Sequence, residues 1–94
     1  MSRVIWKFQL FLAPGGQSIP MPTGTDILSC GVQGNDNVVM WGACDPTQPV
    51  TSRLFHVRMT GQDAPENARF IGTCLVEGGA YVLHVFESEP DRVG

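Results

Sequence analysis

The last third of the chain holds two apolar segments joined by a pair of glycines. Residues 70–76 read FIGTCLV, residues 80–86 read AYVLHVF, and Gly78 and Gly79 lie between them. Runs of β-branched and aromatic residues on both sides of a Gly-Gly sequence are typical of two strands that a tight turn connects. The pattern therefore predicts a β-hairpin with Gly78 and Gly79 as its two-residue loop.

Both faces of this hairpin are apolar. Its expected pairs are Leu75 with Val82, Thr73 with His84 and Ile71 with Phe86 on one face, and Val76 with Tyr81, Cys74 with Leu83 and Gly72 with Val85 on the other. An antiparallel strand with one side in water alternates apolar with polar residues, so this hairpin requires cover on two sides. A chain of 94 residues has little material for two covering layers. We therefore expect a homo-oligomer.

The remaining chain is divided into short extended segments by turn residues. Segments 4–12, 26–33, 38–44 and 53–60 have the composition of strands, and 17–21 belongs at a sheet edge because its prolines lack a donor. No segment has helical periodicity longer than one turn. We predict an all-β domain over residues 1–94, with 88–94 as a polar tail. Its six or seven short strands would form a small antiparallel meander, a sandwich or an open barrel.

Composition limits the classes of partner. The chain is 43% hydrophobic and 16% charged, which are values of a globular domain. It has no apolar run near the length of a membrane span and no signal peptide pattern, so we expect a cytoplasmic protein without membrane contact. A net charge of −3 argues against binding to duplex nucleic acid, which requires a basic face.

The three cysteines show no compelling pairing. In the hairpin that residues 26–44 predict, Cys30 faces Trp41, and Cys44 is out of register for a bridge. We therefore expect reduced, buried thiols, which behave as small hydrophobic side chains.

Catalytic and metal-binding motifs are not evident. His84 is expected to form a hydrogen-bonded pair with Thr73, whereas Cys74 points to the opposite face and cannot use that histidine as a base. Most carboxylates fall in turns or in the tail. The sequence has no Cys-x-x-Cys spacing and no glycine-rich phosphate loop before a helix. We expect neither an enzyme nor a bound metal or cofactor.

One polar group could hold a ligand. The candidate ligand-binding residues are Arg58, Thr60, Gly61, Arg69 and Trp6. Two arginines and free backbone amides at a strand end could bind a phosphate or carboxylate, and an indole ring could stack on a base. In the alternative interpretation, the arginines pair with Asp63 and Glu66 at the surface and Trp6 belongs to the core.

Several blocks of the sequence together resemble a known family. They are IWKF at 5–8, IPMPTG at 19–24, ILSCGVQ at 27–33, WGACDP at 41–46, MTG at 59–61, FIGT at 70–73 and LHVFE at 83–87. In this order they resemble an uncharacterised family of small proteins found in phages, prophages and bacterial genomes. The resemblance implies an accessory protein of a phage or mobile element in the bacterial cytoplasm, and it implies no activity.

Two functions of different classes follow as hypotheses. The first is a non-catalytic protein that acts as an oligomer and sequesters a host factor or a small anionic, nucleotide-like ligand. The alternative is a structural protein, for example a virion decoration or assembly component. The first predicts a ligand site near Arg58, Thr60 and Arg69 at a subunit boundary. The second predicts an exposed apolar patch without a small-molecule pocket.

Overall fold

The computed structural model describes residues 2–89, which fold into seven strands. The strands are β1 (Val4–Gln9), β2 (Gln17–Pro22), β3 (Asp26–Gln33), β4 (Asn37–Cys44), β5 (Val50–Met59), β6 (Ala68–Val76) and β7 (Tyr81–Ser88), with a single 3₁₀ turn at Glu77–Gly79. The predicted all-β class and number of strands are confirmed. No helix within the described part of the chain has the length and apolar character needed to cross a membrane.

The strands form two antiparallel sheets. One sheet has the order β1-β4-β3 and the other the order β2-β5-β7-β6. The segment with Pro20 and Pro22 is an edge strand, as its missing donors predict. The edge strands β3 and β6 approach each other without a hydrogen-bonded ladder, so the barrel is not closed.

The two sheets share one core. Apolar side chains from one face of each sheet fill it, as in a β-sandwich. The buried members of this cluster are Phe8, Leu10, Ile19, Met21, Val38, Met40, Phe55, Val57, Cys74, Val76, Leu83 and Val85. Each sheet therefore has one face that packs in the core and one face that does not.

The predicted hairpin and most of its register are confirmed, but the connection has four residues, 77–80, instead of the expected two-residue loop. Gly78 and Gly79 have φ values of 65° and 94°, which suit a type I′ turn, and Ala80 N–H donates to the Glu77 carbonyl at 3.1 Å. Five of the six expected pairs are present, from Val76 with Tyr81 to Gly72 with Val85. The sixth is wrong. A bulge between residues 70 and 72 places Phe70, not Ile71, opposite Phe86.

The β3–β4 hairpin corrects the expected cysteine geometry. Its loop has three residues, since Gln33 pairs with Asn37, and Cys30 therefore lies opposite Met40 rather than Trp41. This shift turns Cys30 toward the core, where its Sγ lies 3.2 Å from the Cys74 Sγ. The expectation that the cysteines have no close pair is wrong, although all three are free thiols in the structure.

The first strand is shorter than predicted. β1 ends at Gln9, opposite Val39, and one more backbone bond runs from Leu10 N–H to the Val38 carbonyl. The backbone groups of Phe11 bond to the Gln17 side-chain amide rather than to β4. Leu12 is consequently exposed.

The C-terminal end is ordered further than the predicted tail boundary. Ser88 belongs to β7, and Glu89 N–H donates to the Asn67 carbonyl at 2.7 Å. The rest of the predicted tail, 90–94, lies outside the described residues.

Candidate functional site

The side of the β2-β5-β7-β6 sheet that faces away from the core carries exposed apolar groups. We call this side the outer face. The register assigns to it Leu54, His56 and Arg58 of β5, Val82, His84 and Phe86 of β7, and Phe70, Thr73 and Leu75 of β6. Phe70 and Leu75 are 55% and 59% exposed, and Leu54 is also exposed. The rings of Phe70 and Phe86 meet edge to face at 5.6 Å.

A row of hydrogen-bonded polar groups crosses the middle of the outer face. The His84 Nδ1 lies 3.0 Å from the Thr73 hydroxyl, as the predicted pairing requires, and the His84 Nε2 lies 2.9 Å from the Thr60 hydroxyl. A neutral imidazole has one donor and one acceptor nitrogen, and a hydroxyl can serve either. Both ring nitrogens are therefore satisfied within the chain.

His56 lies beside this row, and its ring is satisfied on one side only. Its Nε2 lies 2.7 Å from the Ser88 hydroxyl, whereas its buried Nδ1 has no partner within residues 2–89. Burial, and secondarily the charge of Arg58, lower the pKa of His56 below its ordinary value. Near neutral pH the His56 ring is therefore uncharged.

The structure places three of the predicted ligand-binding residues at one end of β5. Arg58 lies on the outer face, and its Nε donates to the Asp63 carbonyl at 3.1 Å. The Thr60 hydroxyl is engaged by His84, and Gly61 occupies an exposed turn with φ of 98°. These residues are neighbours, but Arg58 contacts the backbone of Asp63 and not its carboxylate, which differs from the predicted surface ion pair.

The other two predicted residues lie elsewhere. Arg69 pairs with Glu87 on the core side of the sheet. Without the bulge at Ile71, Arg69 would lie on the same side as Thr73 and Leu75. Trp6 belongs to β1 in the other sheet, where it is 42% exposed and thus not fully part of the core. The five residues do not form one cluster, and their role in ligand binding stays a prediction.

Arg69 instead belongs to an ionic cluster at the opposite end of the sheet. The Glu87 carboxylate accepts hydrogen bonds from Arg53 at 2.6 and 2.8 Å and from Arg69 at 3.1 Å. A further Arg53 nitrogen donates to the Thr25 carbonyl at 2.5 Å. The bond to Glu87 raises the pKa of Arg53 further, against the opposing effect of burial. Arg53 therefore remains charged at neutral pH.

This ionic cluster lines an open groove of about 520 Å³, together with Ser52, Leu54, Ser88 and Glu89. The volume is within the range of small-molecule sites. Sequence reasoning missed Arg53 and Glu87. Phe55 and Val57 of β5 point toward the core, and side chains two positions apart in a strand share a side. This alternation predicts that Arg53 also lies on the core side.

The described residues contain no group of three or more His, Cys, Asp or Glu side chains placed to hold a metal ion. The groups exposed for contact include the apolar side chains of the outer face and the guanidinium of Arg69. Arg69 is the more exposed arginine of the cluster and has one contact to Glu87.

Of the comparisons with known proteins, one supports the resemblance that the sequence blocks indicated, namely membership of an uncharacterised family of small proteins. No curated protein and no solved structure matches the chain. A family model, described as a domain of unknown function (DUF7352), matches residues 1–93. Because the match spans nearly the whole sequence, the chain belongs to this family of uncharacterised small proteins.

Proposed function

We propose that this protein is a non-catalytic accessory protein of a phage or mobile element. It acts as an oligomer in the bacterial cytoplasm, where it sequesters a host factor or a small anionic, nucleotide-like ligand. The observation that carries the proposal is the exposed apolar outer face of the four-stranded sheet.

The size of the outer face supports a docking role. Four strands about 4.8 Å apart, each with about seven residues at 3.3 Å, span a projected area on the order of 400 Å². The largest apolar patch of a soluble monomer is commonly about 300–600 Å² and often functional. Here the apolar groups lie on both sides of the polar row. The apolar side chains Leu54, Phe70, Leu75, Val82 and Phe86 are distributed over three neighbouring strands of this face.

The polar groups of the outer face suit burial in a contact. Covering a polar group costs free energy when the group loses its water and finds no partner. His84 already has partners on both ring nitrogens, and Arg58 donates to a backbone carbonyl. None of the side chains assigned to the outer face is a carboxylate. A partner can therefore cover His84 and its two threonines without supplying a hydrogen bond, whereas Arg58 keeps unused donors that a partner or water must satisfy.

We assign the outer face to a second copy of this chain. The hairpin requires cover on both sides, and the core covers one side only. A second copy brings an equally apolar face, and a two-fold contact needs only one kind of surface.

The groove beside Arg69 is the better candidate for an anionic ligand than the end of β5. Arg58 and Arg69 each have one hydrogen bond and each line an open groove, of about 410 and 520 Å³, but only the groove at Arg69 holds a second guanidinium, that of Arg53. A guanidinium with unused donors binds phosphate or carboxylate through its planar fork.

The oligomer is tested by light scattering on the purified protein and on two matched variants. Leu75→Lys places a charge in the outer face, and Ile5→Lys places one at a similarly exposed aliphatic residue of the other sheet. We expect the wild type and Ile5→Lys to be oligomers and Leu75→Lys to be a folded monomer. A monomeric wild type, or an oligomer unaffected by Leu75→Lys, contradicts the assignment.

The ligand is tested separately by thermal unfolding in the presence of cyclic and linear nucleotides. Saturation at a hundred times Kd adds about 2.7 kcal/mol to the native state, which raises Tm by several degrees or more in a domain of this size. We expect Arg69→Ala to abolish the shift and Arg58→Ala to retain it. The reverse result moves the ligand to the end of β5. A flat panel with an intact oligomer rejects nucleotide sequestration and favours the structural virion role.

A further inference from the structure

Cys30 and Cys74 form a pair of thiols that connects the two sheets. Cys30 belongs to β3 and Cys74 to β6, which are the edge strands of different sheets. Their sulfur atoms are 3.2 Å apart, with Cys74 buried and Cys30 half-buried. The third cysteine, Cys44, is fully buried in β4.

The packing around the pair is specific to this edge of the molecule. A Cβ added at Gly72 would lie 2.8 Å from the Cys30 Sγ, so the missing side chain lets β3 approach β6 at this point. The same edge is held at its end by the Asp36 carboxylate, which accepts a hydrogen bond from Glu77 N–H at 3.0 Å. The close approach of the two edge strands at this point therefore brings the two thiols together.

We infer that Cys30 and Cys74 are a dithiol site that a small-molecule disulfide, such as glutathione disulfide, converts into an intramolecular cross-link between the two sheets. This inference goes beyond the proposed function and does not depend on it.

The chemistry proceeds in two exchanges. The Cys30 thiolate, as the more accessible sulfur, attacks one sulfur of glutathione disulfide and forms a mixed disulfide, while one glutathione thiolate leaves and takes up a proton. The Cys74 sulfur, after losing its proton, then attacks the Cys30 sulfur and releases the second glutathione. In sum, the two cysteine thiols lose two electrons and two protons, and one glutathione disulfide becomes two glutathione molecules.

The first exchange is slow in the folded protein. Burial and the neighbouring Cys74 raise the pKa of Cys30 to about 12, and the thiolate is the reactive form. The site therefore responds to sustained exposure to a disulfide rather than to a brief pulse. Once formed, the cross-link constrains the unfolded chain across a separation of 44 residues, which stabilises the folded state.

The test uses the full chain, incubated folded with glutathione disulfide and then denatured, alkylated and cleaved before aspartate. This cleavage places Cys30 in fragment 26–35, Cys44 in 36–44 and Cys74 in 63–90. We expect fragments 26–35 and 63–90 to be joined and the intact mass to fall by two hydrogen atoms. We also expect Tm to rise by on the order of 10 °C and to return after treatment with a dithiol reductant.

Cys44→Ser is the matched control, which keeps the pair and should behave as the wild type. Cys30→Ser and Cys74→Ser should form no intramolecular cross-link. Gly72→Ala, which keeps both thiols, should slow the reaction. A wild type that stays reduced, stops at one bound glutathione or joins fragment 36–44 overturns the inference. A cross-link that leaves Tm unchanged shows that it does not fasten the two sheets and overturns it as well.

Discussion

The two sheets of this protein cover the side that faces away from the core to different extents. In the three-stranded sheet, Val39 faces outward from the core and is still only 1% exposed. The Trp41 ring lies over Gly31, and the Lys7 ammonium donates to the Gln33 amide oxygen at 2.9 Å. In the four-stranded sheet, the outer face leaves its apolar side chains open.

The difference lies in where the apolar residues sit within each sheet. Val39 and Trp41 belong to the central strand β4, so long side chains from both neighbouring strands can cover them. Phe70 and Leu75 belong to the edge strand β6, which has a hydrogen-bonded neighbour on one side only. An edge position thus favours exposure, as it also does for Ile5 of β1, which is 66% exposed, although Leu54 of the inner strand β5 is exposed as well.

The largest change in the free energy of unfolding is expected when a carboxylate replaces one apolar residue on the outward side of each sheet. Val39→Asp buries an unpaired charge under its neighbours and should destabilise the domain by about 4 kcal/mol or prevent folding. Leu75→Asp places the same charge in water and should change the stability of the monomer by less than about 0.5 kcal/mol. Urea unfolding measures both. Equal losses would show that the two faces are covered alike.

A smaller effect is expected at the glycine beneath the indole ring. A Cβ at Gly31 would lie 2.8 Å from the Trp41 ring, so Gly31→Ala must displace the ring and should cost about 2 kcal/mol. Gly15→Ala, whose added Cβ meets no atom within 4 Å, is the control and should be nearly neutral. A red shift of the tryptophan fluorescence in Gly31→Ala would report the displaced ring. An unchanged stability would mean that the ring does not depend on this glycine.

The polar bridge of the three-stranded sheet should contribute less. Lys7 and Gln33 belong to the two edge strands, and the bond between them crosses β4 near Val39. Lys7→Ala removes this bond and the aliphatic stem, and we expect a loss of about 0.5–1 kcal/mol in urea unfolding. Lys7→Met keeps the stem and should recover part of the loss. If both variants match the wild type, the cover over Val39 does not come from Lys7.

The smallest effect is a pH dependence from the outer face. The pKa of His56 is lowered in the folded protein, so the unfolded chain binds the proton more readily. The His56 contribution to the free energy of unfolding should be fully present above a pH of about 6.5, the ordinary pKa of histidine. It should decline as the pH falls from there to the lowered pKa of the folded protein. His56→Gln should flatten this part of the profile. The same slope in His56→Gln would assign it to another group.

Much of this fold could be predicted from local patterns. The Gly78-Gly79 sequence correctly set the register of β6 and β7 next to the turn, and the prolines correctly placed β2 at an edge. Both predictions rest on properties of single residues, since glycine readily adopts positive φ and proline lacks the N–H donor. Register beyond the bulge at Ile71 could not be predicted, because one extra residue reverses every facing after it.

The prediction of the candidate ligand-binding residues was affected most by that reversal. Arg69 was expected to form one site with Arg58, but the bulge turns it to the side of the sheet where Glu87 lies. Trp6 could not be placed either, because the pairing of β1 with β4 is a contact between residues distant in sequence. The pairing of Thr73 with His84 was predictable because it lies between the turn and the bulge.

The prolines of β2 also bear on how copies of this chain can associate. An unpaired strand edge is a template on which further strands add without limit, as in fibrils. Pro20 and Pro22 carry no N–H, so β2 cannot donate a continuous ladder to an incoming strand. Growth by sheet extension is thus disfavoured at this edge, whereas the two-fold contact proposed for the outer face would close on itself as a dimer.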